Sequence, residues 1–282
     1  MNDLLPAAND FVFKRIFGSE QHTDVLLAFL NALFDDTHEE LLDSVEILNP
    51  TLEKTASADK RAILDIRAKT QRGDFINIEI QVANQHNIVK RALYYWAKMY
   101  AEQMNSGDQY DTLKRVISIA VLDFIVWPNS RYHAYFQLVE RLDTITIPDI
   151  ELHFLELKKL RQEQQQDSEL YWWLRFIKGL KTNQLEEFKM RNMSTKKAVE
   201  LLEVLSQNPE VRQEYEERQK ALLDEKSRIA TARERGMMQG KHNSAIRIAK
   251  ALLAKGMAAE EVAEITALSI ADIQKLQKRK GK

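Results

Sequence analysis

Apolar residues recur at helical spacing at the start of the chain and at strand spacing further on. Asn9 and Asp10 precede Phe11, Phe13, Ile16 and Phe17, which predicts a capped, amphipathic helix of one or two turns. A second helix is expected over Thr23 to Leu33, with Val25, Leu26, Phe29, Leu30 and Leu33 on one face. Strand character follows at Val45 to Leu48, Ala62 to Lys69 and Phe75 to Val82. The turn-rich stretch Thr70-Gln-Arg-Gly-Asp74 between the last two predicts a β-hairpin. Helical spacing returns from Ile88 to Gln103 through Leu93, Trp96, Ala97 and Tyr100, and strands are expected at Val116 to Val126 and Leu152 to Leu157. The polar run 158–167 reads as a boundary or an exposed helix end, and everything beyond it reads as helix. Tyr171 to Leu180 is aromatic-rich and expected to pack on the first domain, Pro209 to Arg235 reads as either a long solvated helix or an oligomer-forming one, and shorter helices are expected from Ala245 onward.

This order, α, β, β, β, α, β, β and then helices, predicts an α/β domain over residues 1–185, a charged helical connector over 186–240 and a small basic helical tail over 241–282. Composition narrows the chemistry. With no cysteine, disulfides, thiolate metal sites and a cysteine nucleophile are excluded, so any metal must be held by oxygen or imidazole. The first residues lack the basic and long apolar regions of a signal peptide, and Val116 to Trp127 is too short to span a bilayer. A cytoplasmic protein without a membrane partner is therefore expected. The formal net charge of -1 hides an asymmetry: residues 226–282 carry 13 Lys and Arg against 5 Asp and Glu, and residues 1–225 carry 28 against 37. A basic tail on an acidic body suits contact with nucleic acid, and equally suits a solvated helix.

Parity along the hairpin identifies the candidate chemistry. Leu64, Ile66 and Ala68 share one face of the first strand, leaving Asp65, Arg67 and Lys69 on the other; Ile76, Ile78, Ile80 and Val82 share one face of the second, leaving Asn77, Glu79 and Gln81. Centred on Arg72, the hairpin sets Asp65 opposite Glu79 and Ile63 opposite Gln81. Facing carboxylates destabilise a hairpin unless something compensates. A divalent cation with oxygen ligands, Mg²⁺ or Mn²⁺, is one solution; pairing with Arg61, Arg67 or Lys69 on a solvated face is the other. No His pair has metal-ligand spacing, so His133 and His153 read as satisfied structural residues, and the glycine motifs of phosphate loops, dinucleotide folds and serine hydrolases are absent.

The run Ile63-Leu-Asp65-Ile66, followed by Ile78-Glu79-Ile80-Gln81, resembles the core of the PD-(D/E)XK nuclease superfamily. More narrowly, the chain resembles the recombination-promoting nuclease (Rpn) and transposase family. Asp10-Phe-Val-Phe-Lys14-Arg-Ile-Phe17, Lys90-Arg-Ala-Leu-Tyr-Tyr-Trp96 through Tyr100, Glu151-Leu-His-Phe-Leu-Glu156-Leu-Lys158 and the tail from Gly256 to Leu276 share that likeness. The resemblance implies a restriction-endonuclease-like core, a mixed β-sheet flanked by helices with a helical C-terminal region, and metal-dependent hydrolysis of DNA linked to recombination or mobile elements. It implies that Asp65, Glu79 and the backbone carbonyl of Ile80 hold Mg²⁺ or Mn²⁺, with Asp10 as a candidate third acid or simply a helix cap. Gln81 stands where the motif has lysine; an amide orients water but supplies no positive charge. The motif's proline before the aspartate is also absent, Leu64 standing there. Lys14 and Arg91, with Tyr94 and Tyr95, are candidate nucleic-acid contacts, against solvation for Lys14 and core packing for the tyrosines and Trp96.

In the tail, Gly256 is placed to end one helix, and Ser269 with Asp272 forms a shortened capping box before the last. Helix, turn and helix resemble a helix-turn-helix, with 270–275 toward a major groove; a small bundle for self-association is the alternative. Two other functions stay open: an inactive nucleic-acid-binding or oligomeric protein, and an RNA-cleaving toxin or defence nuclease.

Overall fold

The computed structural model describes residues 4–52, 62–83, 87–142, 145–160 and 168–278. The chain divides into two compact units, Met1–Arg212 and Gln213–Lys282.

The first unit opens with α1 (Asp10–Phe17). Its N-cap is Asn9, whose Oδ1 accepts the N–H groups of Phe11 (3.1 Å) and Val12 (3.4 Å), so capping falls to Asn9 and Asp10 is the first helical residue. Asn9→Ala is expected to lower stability by about 1 kcal/mol, read from the midpoint of urea unfolding. Next come α2 (Thr23–Asp36), β1 (Val45–Leu48), β2 (Thr51–Leu52), β3 (Ala62–Ile63), β4 (Ile66–Thr70), β5 (Phe75–Gln81), α3 (Ile88–Ala101), β6 (Val116–Leu122), β7 (His133–Val139) and β8 (Thr146–Glu156). Three further helices follow, α4 (Glu169–Lys178), α5 (Thr182–Lys189) and α6 (Met193–Gln207).

Among the described residues six strands form one mixed sheet in the order β1-β4-β5-β6-β8-β7. Strands β5, β6 and β8 run parallel, and the flanking pairs are antiparallel. Helix α3 connects the parallel strands β5 and β6 and covers one face: Ile88 and Ala92 pack with Ala120, Leu122, Leu152 and Phe154. An aromatic layer joins the N-terminal helices to α4, with Trp173 meeting Phe17 at 5.8 Å and Phe29 at 6.3 Å between ring centres. The expected packing of the aromatic-rich segment on the first domain is present. This mixed sheet flanked by helices is a restriction-endonuclease-like α/β core.

Three expectations need correction. The strand expected over Ala62 to Lys69 is broken at Leu64 and Asp65: β3 pairs with β2, Thr51 opposite Ile63, so Ile63 does not meet Gln81. Leu64 joins Met99 and Val116 in the cluster beneath α3, which interrupts the alternation at that point. The polar face of the hairpin is not a solvated one, because α3 covers it; Asn77 is fully buried and Gln81 nearly so, whereas Val82 is half exposed. Finally, β7 was not expected, and β8 begins six residues before the strand expected at Leu152.

The second unit holds most of α7 (Pro209–Ala254), then α8 (Ala259–Thr266) and α9 (Ile270–Lys278). The charged helix and the helix expected from Ala245 are one continuous element. Gly256 ends it at φ +84°, and Ala267 closes α8 in the left-handed region at φ 54°. Ser269 caps α9, its Oγ accepting the Asp272 N–H at 3.2 Å and donating to Asp272 Oδ2 at 2.6 Å. Ala249, Val262, Leu268 and Ile273 form a small core of their own. No described helix is long and apolar enough to cross a membrane.

Candidate active site

The hairpin turn fixes the register. Gly73 sits at φ +91°, and Thr70 Oγ1 accepts the N–H groups of Arg72 (3.2 Å) and Asp74 (3.1 Å). The ladder then runs from Lys69 opposite Phe75 to Ile66 opposite Ile78, in the register that a centre on Arg72 requires. One position further on, Asp65 stands across from Glu79 where the two strands part. Side chains there replace ladder bonds: the Ile80 N–H donates to Asp65 Oδ2 at 2.8 Å, and the Asp65 N–H donates to Glu79 Oε1 at 3.2 Å. Because the N–H and C=O of a strand residue leave on the same side, the Ile80 carbonyl also points toward the edge that β4 has vacated.

Two cations hold the acids from opposite layers. Lys14 on α1 lies 2.8 Å from Asp65 Oδ1, and Arg91 on α3 lies 3.5 Å from Glu79 Oε2. Lys14 is therefore ion-paired, not simply solvated, although its side chain is 38% exposed. The carboxylates are themselves 13% and 12% exposed, so their mutual repulsion is poorly screened. Burial first and the Asp65 charge second push the Glu79 carboxyl up to about 7, against the lowering influence of Arg91, the Asp65 N–H and Lys14. Tyr95 is pushed up by its own burial and by Glu79, and its ring lies 5.9 Å from the Arg91 guanidinium. Tyr94 is half exposed, while Trp96 is partly buried against the core, its Nε1 donating to the Val116 carbonyl at 3.0 Å.

Gln81 follows Glu79 on the same face. Its Nε2 donates to the Ala83 carbonyl at 2.7 Å, and its buried Oε1 has no hydrogen-bond partner among the described residues. Asp10 begins α1, and among the described residues no set of three or more His, Asp or Glu side chains is placed to hold a metal ion. The structure thus brings Asp65, Glu79, Lys14 and Arg91 together. What the sequence did not disclose is the pairing of Lys14 with Asp65 and the closeness of Tyr95 to Glu79. Helical spacing placed Lys14 one turn after Asp10, but only the packing of α1 brings it to the end of β4.

No curated protein and no solved structure matches the chain significantly. Two family models do. Residues 242–278 match the C-terminal HTH domain of the Rpn/YhgA-like nuclease family. Residues 7–232, most of the chain and all of the site just described, match the PD-(D/E)XK nuclease family transposases, and to that family the chain belongs.

Proposed function

We propose that this chain is a metal-dependent endonuclease that hydrolyses DNA phosphodiester bonds in the movement or recombination of genetic elements. The observation that carries the reading is the facing pair of Asp65 and Glu79, two largely buried acids of which Glu79 is driven toward neutrality by burial and by the Asp65 charge. Such a pair fits a hard divalent cation, Mg²⁺ or Mn²⁺. The Ile80 carbonyl adds a neutral oxygen at the same edge, and the orphaned Oε1 of Gln81 is the buried acceptor that a cation-bound water would satisfy. When bound, the metal supplies an activated water and charge neutralisation at the phosphate.

The chain's own groups do the rest. Asp65 and Glu79 position the charge and, once both are ionised, hold it, and Asp10 at the start of α1 is the candidate third acidic ligand. Gln81 orients water through its amide and adds no charge. Lys14 and Arg91, which pair with the two acids, would contact backbone phosphates where a cation held the carboxylates in their place. The residues 1–185 form the catalytic portion, and the basic segment 226–282 adds affinity for the duplex by counterion release, the tail through its helix-turn-helix. Self-association through α7 belongs to the same reading, since Leu222, Leu223, Ile229, Met237 and Met238 are exposed along it.

Supercoiled plasmid tests this. Wild-type protein is expected to convert it to nicked and linear forms with Mg²⁺ or Mn²⁺ and to leave it intact in EDTA. Cutting that persists in EDTA, or protection of plasmid while RNA is cleaved, would replace this reading. Binding without cutting under all metals would favour the inactive one, to which the Gln81 amide turned toward Ala83 lends some support.

A further inference from the structure

A second cluster of titratable groups lies on the sheet face opposite α3. His133 on β7 and Glu151 and His153 on β8 point to that face, because the alternate residues Leu152 and Phe154 pack under α3. Asp36 at the end of α2 reaches them. Asp36 Oδ2 is 2.6 Å from His133 Nδ1, His133 Nε2 is 2.9 Å from His153 Nδ1, and His153 Nε2 is 2.7 Å from Glu151 Oε1. The two imidazole centres are 5.2 Å apart with their planes 26° from parallel. That separation is the N···N distance plus one ring radius on each side, so the rings meet edge to edge with their nitrogens aimed at each other. His153 and Glu151 are fully buried.

Counting protons decides what this geometry requires. Each of the three contacts joins two atoms that are acceptors when unprotonated, so each needs one proton between them. Two neutral imidazoles bring two. The chain therefore closes only with a third.

We propose that Asp36, His133, His153 and Glu151 form a proton-storing latch between α2 and the β7–β8 edge, closed when His133 is an imidazolium and His153 a neutral Nε2–H imidazole. In that state His133 donates to both Asp36 and His153, and His153 donates to Glu151. Loss of the third proton leaves two unprotonated atoms facing each other at one contact. A fourth proton, on the second imidazole, sets two N–H groups face to face between the rings. Either change opens the latch.

The surroundings agree with that assignment. Burial drives His153 toward its neutral form, against the opposing influence of its hydrogen bond to Glu151. Glu151 Oε2 has Arg115 at 3.3 Å, just before β6, and the same Arg115 nitrogen lies 3.3 Å from Glu39 Oε2 beyond α2. Tyr135 on β7 stacks on His153 with centres 4.8 Å apart and donates to Glu39 Oε1 at 3.3 Å. Asp74, before β5, has its carboxyl raised by burial and feels both Arg115 and Glu151, and Tyr132 feels Asp36. Coupled groups of this kind titrate as a unit.

The test is histidine-selective ¹⁵N NMR of the full chain, which reports the protonation of each ring nitrogen. At neutral pH three of the four nitrogens of His133 and His153 are expected to carry protons, with Nδ1 of His153 bare. Two neutral imidazoles at neutral pH would overturn the proposal. Thermal unfolding followed from pH 6 to 9.5 gives a second reading: the wild type should exceed His133→Gln and His153→Gln near neutrality, with that advantage shrinking by about 5 °C at the alkaline end. An advantage that does not change with pH would also overturn it. If neither variant folds, the nitrogen count in the wild type still decides.

Discussion

Asp65→Asn is expected to reduce DNA cleavage by about three orders of magnitude while the protein remains folded. The amide oxygen still accepts the Ile80 N–H that Asp65 Oδ2 accepts at 2.8 Å, so the backbone group keeps its partner where the strands diverge. What disappears is the charge. A metal centre contributes several kcal/mol of transition-state stabilisation, and about 4 kcal/mol corresponds to about a thousandfold in rate. The same substitution removes the second-largest cause of the raised Glu79 carboxyl, so Glu79 should titrate closer to an ordinary glutamate. Initial rates of plasmid nicking, with circular dichroism as the control for folding, measure the first effect. Full activity in Asp65→Asn would remove Asp65 from the metal site. Asp65→Ala is a poorer probe, because it also leaves the Ile80 N–H without its acceptor, at about 1–3 kcal/mol.

Glu79→Gln should separate stability from activity, raising one and abolishing the other. In the metal-free protein the Glu79 carboxyl is pushed up to about 7 from 4.5. Between those values the folded state holds a proton that the unfolded chain releases. The group's contribution to stability is therefore fully present below about pH 4.5 and is lost as pH rises through 7, on the order of 3 kcal/mol in all. Glutamine stays neutral throughout and keeps an acceptor for the Asp65 N–H; the lost pair with the part-exposed Arg91 offsets the gain by at most about 1 kcal/mol. At pH 8 in EDTA the variant should melt roughly 5 °C above the wild type, and at pH 4.5 the two should coincide. The wild type's apparent metal affinity should rise about tenfold per pH unit below 7 and level off above it, because binding must first expel that proton. A Glu79→Gln variant no more stable than wild type at pH 8 would mean that the two acids do not share the strain described here.

Much of the site was legible before any tertiary contact was known. The alternation from Phe75 to Gln81 assigned the faces of β5, and the glycine turn set the register that brings Asp65 opposite Glu79. Both are local properties, since side chains alternate with period two and a tight turn leaves little choice of pairing. The helix caps and the ends of α1, α8 and α9 are local in the same sense. The edge strand β7 was hidden because His133, Tyr135 and Gln137 take the face a core would use and Phe136, Leu138 and Val139 are exposed, so neither face reads as a buried apolar one.

Composition, read from the sequence alone, excluded thiolate ligands and disclosed a basic C-terminal segment, and parity along the hairpin picked out the acid pair as the candidate chemistry. The tertiary structure decided what surrounds that pair. Leu64 is drawn into the cluster with Met99 and Val116, which ends the hairpin at the acids and frees their edge. Packing of α1 and α3 on opposite faces of the sheet brings Lys14 to Asp65 and Arg91 to Glu79. The histidines that spacing had read as separate residues are joined to Asp36 and Glu151 only because α2, β7 and β8 meet. The physical reason is common to all three: periodicity along the chain says which way a side chain points, whereas its partners come from segments distant in sequence, and burial then sets the strength of their charges.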